Sequence, residues 1–199
     1  WTQAAFPAAQ PFYFADDYAD IQAALNAAQA GGGGVVWLSP GQTYTLTTRL
    51  TVASNCGIWS DGTATIYAPA SVFTNATLSN KYAATSACID CSGLIVAPYT
   101  ANTNISFRSF KLQSEVSNGR LVDAITARNV NGLEIIGVEI YGFPVGCDLR
   151  LATLAGKTLI AYCYFHDRYD DTNWGGGTVP QLTAIEFDND IVNSVASVG

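Results

Sequence analysis

Two groups of side chains in this sequence have the types and spacing to do chemistry. The first sits in three short segments, Ile125-Thr126-Ala127, Leu149-Arg150-Leu151 and Ile185-Glu186-Phe187. Aligned as neighbouring strands, these turn their apolar columns inward and their alternate residues outward. The outward columns then hold Ala124, Asp148 and Ala184, next Thr126, Arg150 and Glu186, and last Arg128, Ala152 and Asp188. Stacked strands lie about 4.8 Å apart, so Arg150 is expected beside Glu186, with Asp148 close to both. Glu186 and Asp188 would share a face at about 7 Å, between the two carboxylate separations used to hydrolyse glycosidic bonds. One acid would protonate the glycosidic oxygen while the other activated water or attacked C1. Glu186, Asp188 and Asp148 are therefore the catalytic candidates, with Arg150 as a substrate-binding one. A plain ladder of exposed ion pairs, each worth about 0–1 kcal/mol, would use the same residues.

The second group lies where the spacing between aligned segments jumps, from 24 residues (125 to 149) to 36 (149 to 185). The extra length is HDRYDDTNWGGGTVPQ, residues 166–181, which opens on the sequence's single histidine. Loops of this kind on a rigid scaffold are favoured places for function. Tyr169 and Trp174 offer ring faces on which a sugar can stack, and Arg168 offers donors for its hydroxyls. His166, or Tyr169 with Arg168, would suit lyase or epimerase chemistry, which needs a base at C5 and a group that neutralises a uronate. Asp167, Asp170 and Asp171 offer oxygens to calcium, although their spacing matches no calcium loop. No other cofactor is expected. An insertion serves equally well as a contact between the subunits of a trimer, or as a bare surface loop.

The elements that must position these groups are short. Ile21, Ala24, Leu25 and Ala28 form an i, i+3, i+4, i+7 stripe behind Asp16-Asp17, which predicts one helix that ends at the glycine run 31–34. Brief strands follow at Val35–Leu38, Thr43–Leu46 and Leu50–Val52, and continue through Ile58 and Ile66. The stretch before Asp16 lacks periodicity and reads as an extended lead-in or attachment segment, residues 1–15. Further on, NISFRSFKL (104–112), GLEIIGVEI (132–140) and KTLIAYCYF (157–165) repeat with periods of 28 and 25 residues. Their apolar columns are Ile105/Leu133/Thr158, Phe107/Ile135/Ile160, Phe110/Val138/Cys163 and Leu112/Ile140/Phe165. Strands this short cannot bury a face alone, so the repeats must stack as coils around a shared core. An antiparallel sandwich or jelly roll is the alternative.

The totals narrow the partners. The 199 residues carry a net charge of −7 and only 13% charged side chains, a balance that a nucleic acid's phosphates would repel. No run approaches the ~18 apolar residues of a membrane span, so no membrane insertion is expected. Five cysteines cannot pair completely within one chain. Cys88-Ile-Asp-Cys91 has the spacing of half a zinc site and no second half, so buried apolar thiols are the preferred reading.

The segment DDYADIQAALNAAQAGGGGVVWLSPGQTYTL, followed by LTVASNCGIWSDGTATI, resembles the opening of the pectate-lyase-like β-helix superfamily. The resemblance covers residues 16–66 and departs from the usual pattern at Ser39 before Pro40. It implies a right-handed parallel β-helix, residues 16–199, whose short N-terminal helix caps the coil. It further implies a secreted or phage-tail protein that acts on a surface polysaccharide, as tailspike depolymerases, lyases and epimerases do, in many cases as a trimer. The superfamily's epimerases carry Asp-Pro-His near the active site. Here the order is His166-Asp167, so that mechanism is not carried over. The expected function is a tailspike-like glycan depolymerase, hydrolase or lyase. A non-catalytic structural or adhesive fibre element is the rival, and a secreted polysaccharide lyase or uronate epimerase a third reading. The absence of methionine, and an apparent new coil beginning at Ile191, lead us to expect a longer native chain or a subunit that covers this end. Paired, flat charges in place of Glu186, Asp188 and Asp148 would favour the structural rival, and an open groove beside aromatic rings would favour an enzyme.

Overall fold

The computed structural model describes residues 10–69, 71–73, 87–93, 100–115, 123–143, 145–150, 158–166 and 183–188. Strand β1 (Phe12–Phe14) and a single turn of 3-10 helix at Ala15–Asp17 precede helix α1 (Ile21–Ala30). The chain then forms β2 (Gly34–Trp37), β3 (Thr43–Thr45), β4 (Leu50–Thr51), β5 (Cys56–Trp59), β6 (Thr65–Ala68) and β7 (Ala87–Asp90). Next come β8 (Asn102–Arg108), β9 (Lys111–Ser114), β10 (Asp123–Arg128), β11 (Val130–Ile136) and β12 (Glu139–Tyr141). The described strands end with β13 (Val145–Arg150), β14 (Thr158–Ala161), β15 (Tyr164–His166) and β16 (Thr183–Asp188).

From β2 onward each coil gives one strand to each of three sheets in turn. The first sheet runs β1-β2-β5-β8-β11-β14, the second β3-β6-β9-β12-β15 and the third β4-β7-β10-β13-β16. Pairing is parallel throughout, for example Phe107 with Ile58 and Ile135, or Leu112 with Ile66 and Ile140. A parallel β-helix follows, and the antiparallel sandwich falls away. Crossovers between parallel strands of one sheet are right-handed in nearly all proteins, the hand expected of this coil. Phe12–Phe14, expected within the lead-in, pair with Val35–Trp37 as the first strand of the first sheet.

The repeat columns read from the sequence are the observed ones. Leu133 sits opposite Ile105 and Thr158, Ile135 opposite Phe107 and Ile160, and Ile140 opposite Leu112 and Phe165. These columns, with Val36, Ile58, Ile89, Ile125 and Cys147, form one continuous core. Phe107 and Phe110 meet edge to face at its centre, 6.4 Å apart. Helix α1 adds Ile21, Ala24, Leu25 and Ala28 to that core. Its N-cap is Asp20, whose carboxylate accepts from the Ala23 amide at 2.7 Å, while Asp16 and Asp17 lie one turn earlier in the 3-10 helix. Cys88, Cys91 and Cys147 are buried free thiols, and burial pushes their pKa far above that of an exposed thiol, so they stay protonated. That is the environment of an inert apolar cysteine rather than of a metal or redox pair.

One alignment is corrected. In the third sheet Ile125 pairs with Cys147, not Leu149, and Cys147 with Ile185. The pleat fixes only the period of two within a strand, while the turns that connect strands differ in length from coil to coil. The error is two residues, so which residues share a face survives and which are neighbours does not. Asp148 lies opposite Glu186 and Thr126, and Arg150 opposite Asp188 and Arg128.

Candidate functional site

The outer face of the second sheet gathers the chemistry. Around the buried column Leu112, Ile140 and Phe165, the flanking positions form two ladders: Lys111, Glu139 and Tyr164 on one side, Gln113, Tyr141 and His166 on the other. Because the inner residues are locked in the core, the alternation drives these six outward. His166 closes β15 and faces Glu139 on the neighbouring rung, with its Nε2 2.9 Å from Oε1. The imidazole also stacks on Tyr164, at 4.4 Å between centroids, and on Tyr141, at 5.1 Å and 9° between planes. Lys111 stands 3.6 Å from the other oxygen of Glu139. The Tyr141 hydroxyl donates to Gln113 Oε1 at 2.6 Å. Burial, and then the charge of Glu139, push the Tyr141 phenol up, so it stays a proton donor. His166 is thus held by a carboxylate at the centre of this cluster, and Tyr164 beside it is largely open at 62% exposure.

The expected carboxylate site of the third sheet looks different. Three of its outward residues are buried: Thr126 is 1%, Arg128 4% and Asp148 1% exposed. Asp148 is ion-paired with Arg128 at 3.7 Å. Asp90, at the next register position beyond Thr126, is buried and paired with Arg49 at 3.5 Å. Register places Glu186 beside Asp148 and Asp188 beside Arg150, which corrects the expected pairing of Arg150 with Glu186. Of the second sequence group, His166 belongs to a strand rather than to a loop, while Arg168, Tyr169 and Trp174, with Asp167, Asp170 and Asp171, lie outside the described residues. Among the described residues no group of three or more His, Cys, Asp or Glu side chains could hold a metal ion.

Sequence reasoning missed Lys111, Gln113, Glu139, Tyr141 and Tyr164. The signal was present in the repeat alignment, whose apolar columns these residues flank on both sides. The first sheet carries another missed feature: Phe14, Trp37, Trp59 and Arg108 share one outward column. There the Arg108 guanidinium lies 4.5 Å over the Trp59 ring and pairs with Glu134.

No protein-family profile matches the chain, and no curated protein sequence matches it. Among solved structures it is similar to the A-module of the Azotobacter vinelandii mannuronan C-5 epimerase AlgE4, at 15% identity and a TM-score of 0.48 over 79% of this chain. A Parabacteroides merdae protein described as a candidate glycosyl hydrolase superposes with a TM-score of 0.46 at 12% identity, covering 88% of this chain and 95% of its own. The A-module of the A. vinelandii epimerase AlgE6 gives 0.39 at 14% identity, covering 78% of this chain and 56% of its own. The chain spans half the length of the AlgE4 module. These likenesses are low in identity and in superposition, and the site has to be read from this chain's own residues.

Proposed function

We propose that this protein binds a polysaccharide on the outer face of the second sheet and breaks its glycosidic bonds there, with His166 as the group that moves the proton. The observation that carries this reading is the His166 imidazole, held by Glu139 and stacked on Tyr141 and Tyr164 on an accessible face. Ring faces suit the apolar faces of sugars, and the Gln113 and Lys111 side chains can answer hydroxyls or a carboxylate. An imidazole base beside an ammonium fits elimination at a uronate better than two-carboxylate hydrolysis. His166 would take the C5 proton while Lys111 offsets the charge that builds on the carboxylate. The C5–H electron pair would form the C4=C5 double bond as the C4–O bond breaks, and the departing oxygen would take a proton from water.

The setting we propose is extracellular or on a virion tail, with a surface polysaccharide as partner and a trimer as the assembly, on the strength of the resemblance over residues 16–66. The test exposes the protein to a neutral glucan, a polyuronate and an N-acetylated amino-sugar polymer, and follows binding, new reducing ends and the ultraviolet absorbance of unsaturated ends. Unsaturated ends that disappear in His166→Ala support the reading. New ends without unsaturation replace elimination by hydrolysis, and failure to bind all three polymers overturns it. One observation favours a non-catalytic adhesive element: the charges Lys111–Glu139 and Arg128–Asp148 are already paired. Binding with no new ends is the result that selects it.

A further inference from the structure

The turns between the first and second sheets stack in register. Arg108, Ile136 and Ala161 are neighbours across β8, β11 and β14, so the residues that follow them, Ser109, Gly137 and Tyr162, occupy one turn position. The amides of Ser109 and Gly137 donate to the carbonyls of Ile136 and Ala161 at 3.0 and 2.9 Å, which holds the column together. All three residues are left-handed, with φ of 54°, 64° and 56°. Glycine accepts this conformation freely, but a bulky side chain there is a steric outlier. Tyr162 gains nothing from packing in exchange, because it is 93% exposed. It also stands two residues before Tyr164, within about 7 Å along the chain. Strain kept without a packing return is the pattern of a residue held for its contacts with a ligand.

We infer that Tyr162 is a substrate-positioning residue, whose ring extends the Tyr164–His166 platform over the ridge between the two sheets and stacks on a sugar next to the one being cleaved. This rests on the reading of the second sheet's outer face as the polysaccharide site. The test measures thermal unfolding and calorimetric binding of oligosaccharides of the three polymers named above, for the whole chain and for Tyr162→Asn, Tyr162→Phe and Tyr164→Ala. Asparagine tolerates the left-handed region, so Tyr162→Asn is expected to raise Tm by about 2 °C while weakening binding roughly two- to tenfold. Tyr162→Phe keeps the ring and should bind within about twofold of the parent. A fall in Tm for Tyr162→Asn would make the residue structural and overturn the inference. So would unchanged binding in Tyr162→Asn when Tyr164→Ala binds more weakly. If the parent binds none of the oligosaccharides, the proposed face fails, and this inference with it.

Discussion

Two ion pairs of nearly equal length sit on the outer faces of neighbouring sheets, and their surroundings make them different objects. Lys111 and Glu139 are 3.6 Å apart with side chains 40% and 31% exposed, whereas Arg128 and Asp148 are 3.7 Å apart at 4% and 1%. Both come from the same device, polar residues at alternate strand positions stacked rung upon rung. On the second sheet water screens the pair, so its members can exchange partners with a ligand at little cost. On the third sheet neither charge can leave the other without a large desolvation penalty, and the pair is fixed. A ladder of charges on a solenoid becomes a site only where it remains accessible.

The largest effect should come from the fixed pair. Asp148→Ala leaves Arg128 without its buried carboxylate and should cost about 3 kcal/mol, lowering Tm by roughly 6–12 °C. Binding measured well below the new Tm should stay at the parent value. A Tm change under about 2 °C would show that Asp148 is not locked, and would return it to the list of accessible acids.

His166→Gln inverts that pattern. It keeps a side chain that can meet Glu139 but removes the base, so turnover should fall at least about a hundredfold while Tm moves by no more than about 2 °C. Equal losses of stability and turnover would erase the distinction between the two faces. Smaller again is Tyr164→Ala, which removes an exposed ring and should cost about 1 kcal/mol of binding, read by calorimetry on the oligosaccharide that binds. Its stability should be almost unchanged.

How much of this was legible in the sequence follows from which interactions are local. Phe107, Ile135 and Ile160 could be aligned because the pleat forces apolar residues into columns and three repeats share the same spacing. His166 stood out by chemistry, yet it was assigned to a loop because the jump in spacing was placed one residue too early. Glu139 was in the alignment and Tyr141 one residue beyond its end, and both went unread, since only their apolar neighbours were being matched. Burial of Arg128 and Asp148 was illegible in a stronger sense. An alternating pattern says that a residue points away from the core, and nothing in it says whether that side meets water. Nor does a tyrosine in a repeat announce a left-handed backbone, which emerges only when Ser109, Gly137 and Tyr162 are stacked.

The near end of the second sheet offers an intermediate case, and the smallest effect. Asp16 is exposed, yet its carboxylate accepts hydrogen bonds from the Ser39 hydroxyl and, at 2.7 Å, from the Tyr44 hydroxyl, while Tyr44 also accepts from the Ser39 amide at 2.9 Å. These bonds tie the turn before α1 to the first strand of the sheet. The Ser39 bond first, and then the Tyr44 bond, hold the Asp16 carboxyl below its ordinary value of 3.8. A carboxyl depressed on folding stabilises the fold fully above its unfolded pKa, and that contribution is lost as pH falls through the folded value. Asp16→Asn should therefore destabilise by less than about 1 kcal/mol at neutral pH, since solvent screens the site. The gap between parent and variant should hold constant down to about pH 5, then close as acid protonates the parent's carboxyl. Urea unfolding of both proteins along a pH series would measure it. A gap that stayed open in acid would mean that Asp16 acts through shape rather than charge, as a packed residue would, and would move it from the exchangeable class toward the fixed one.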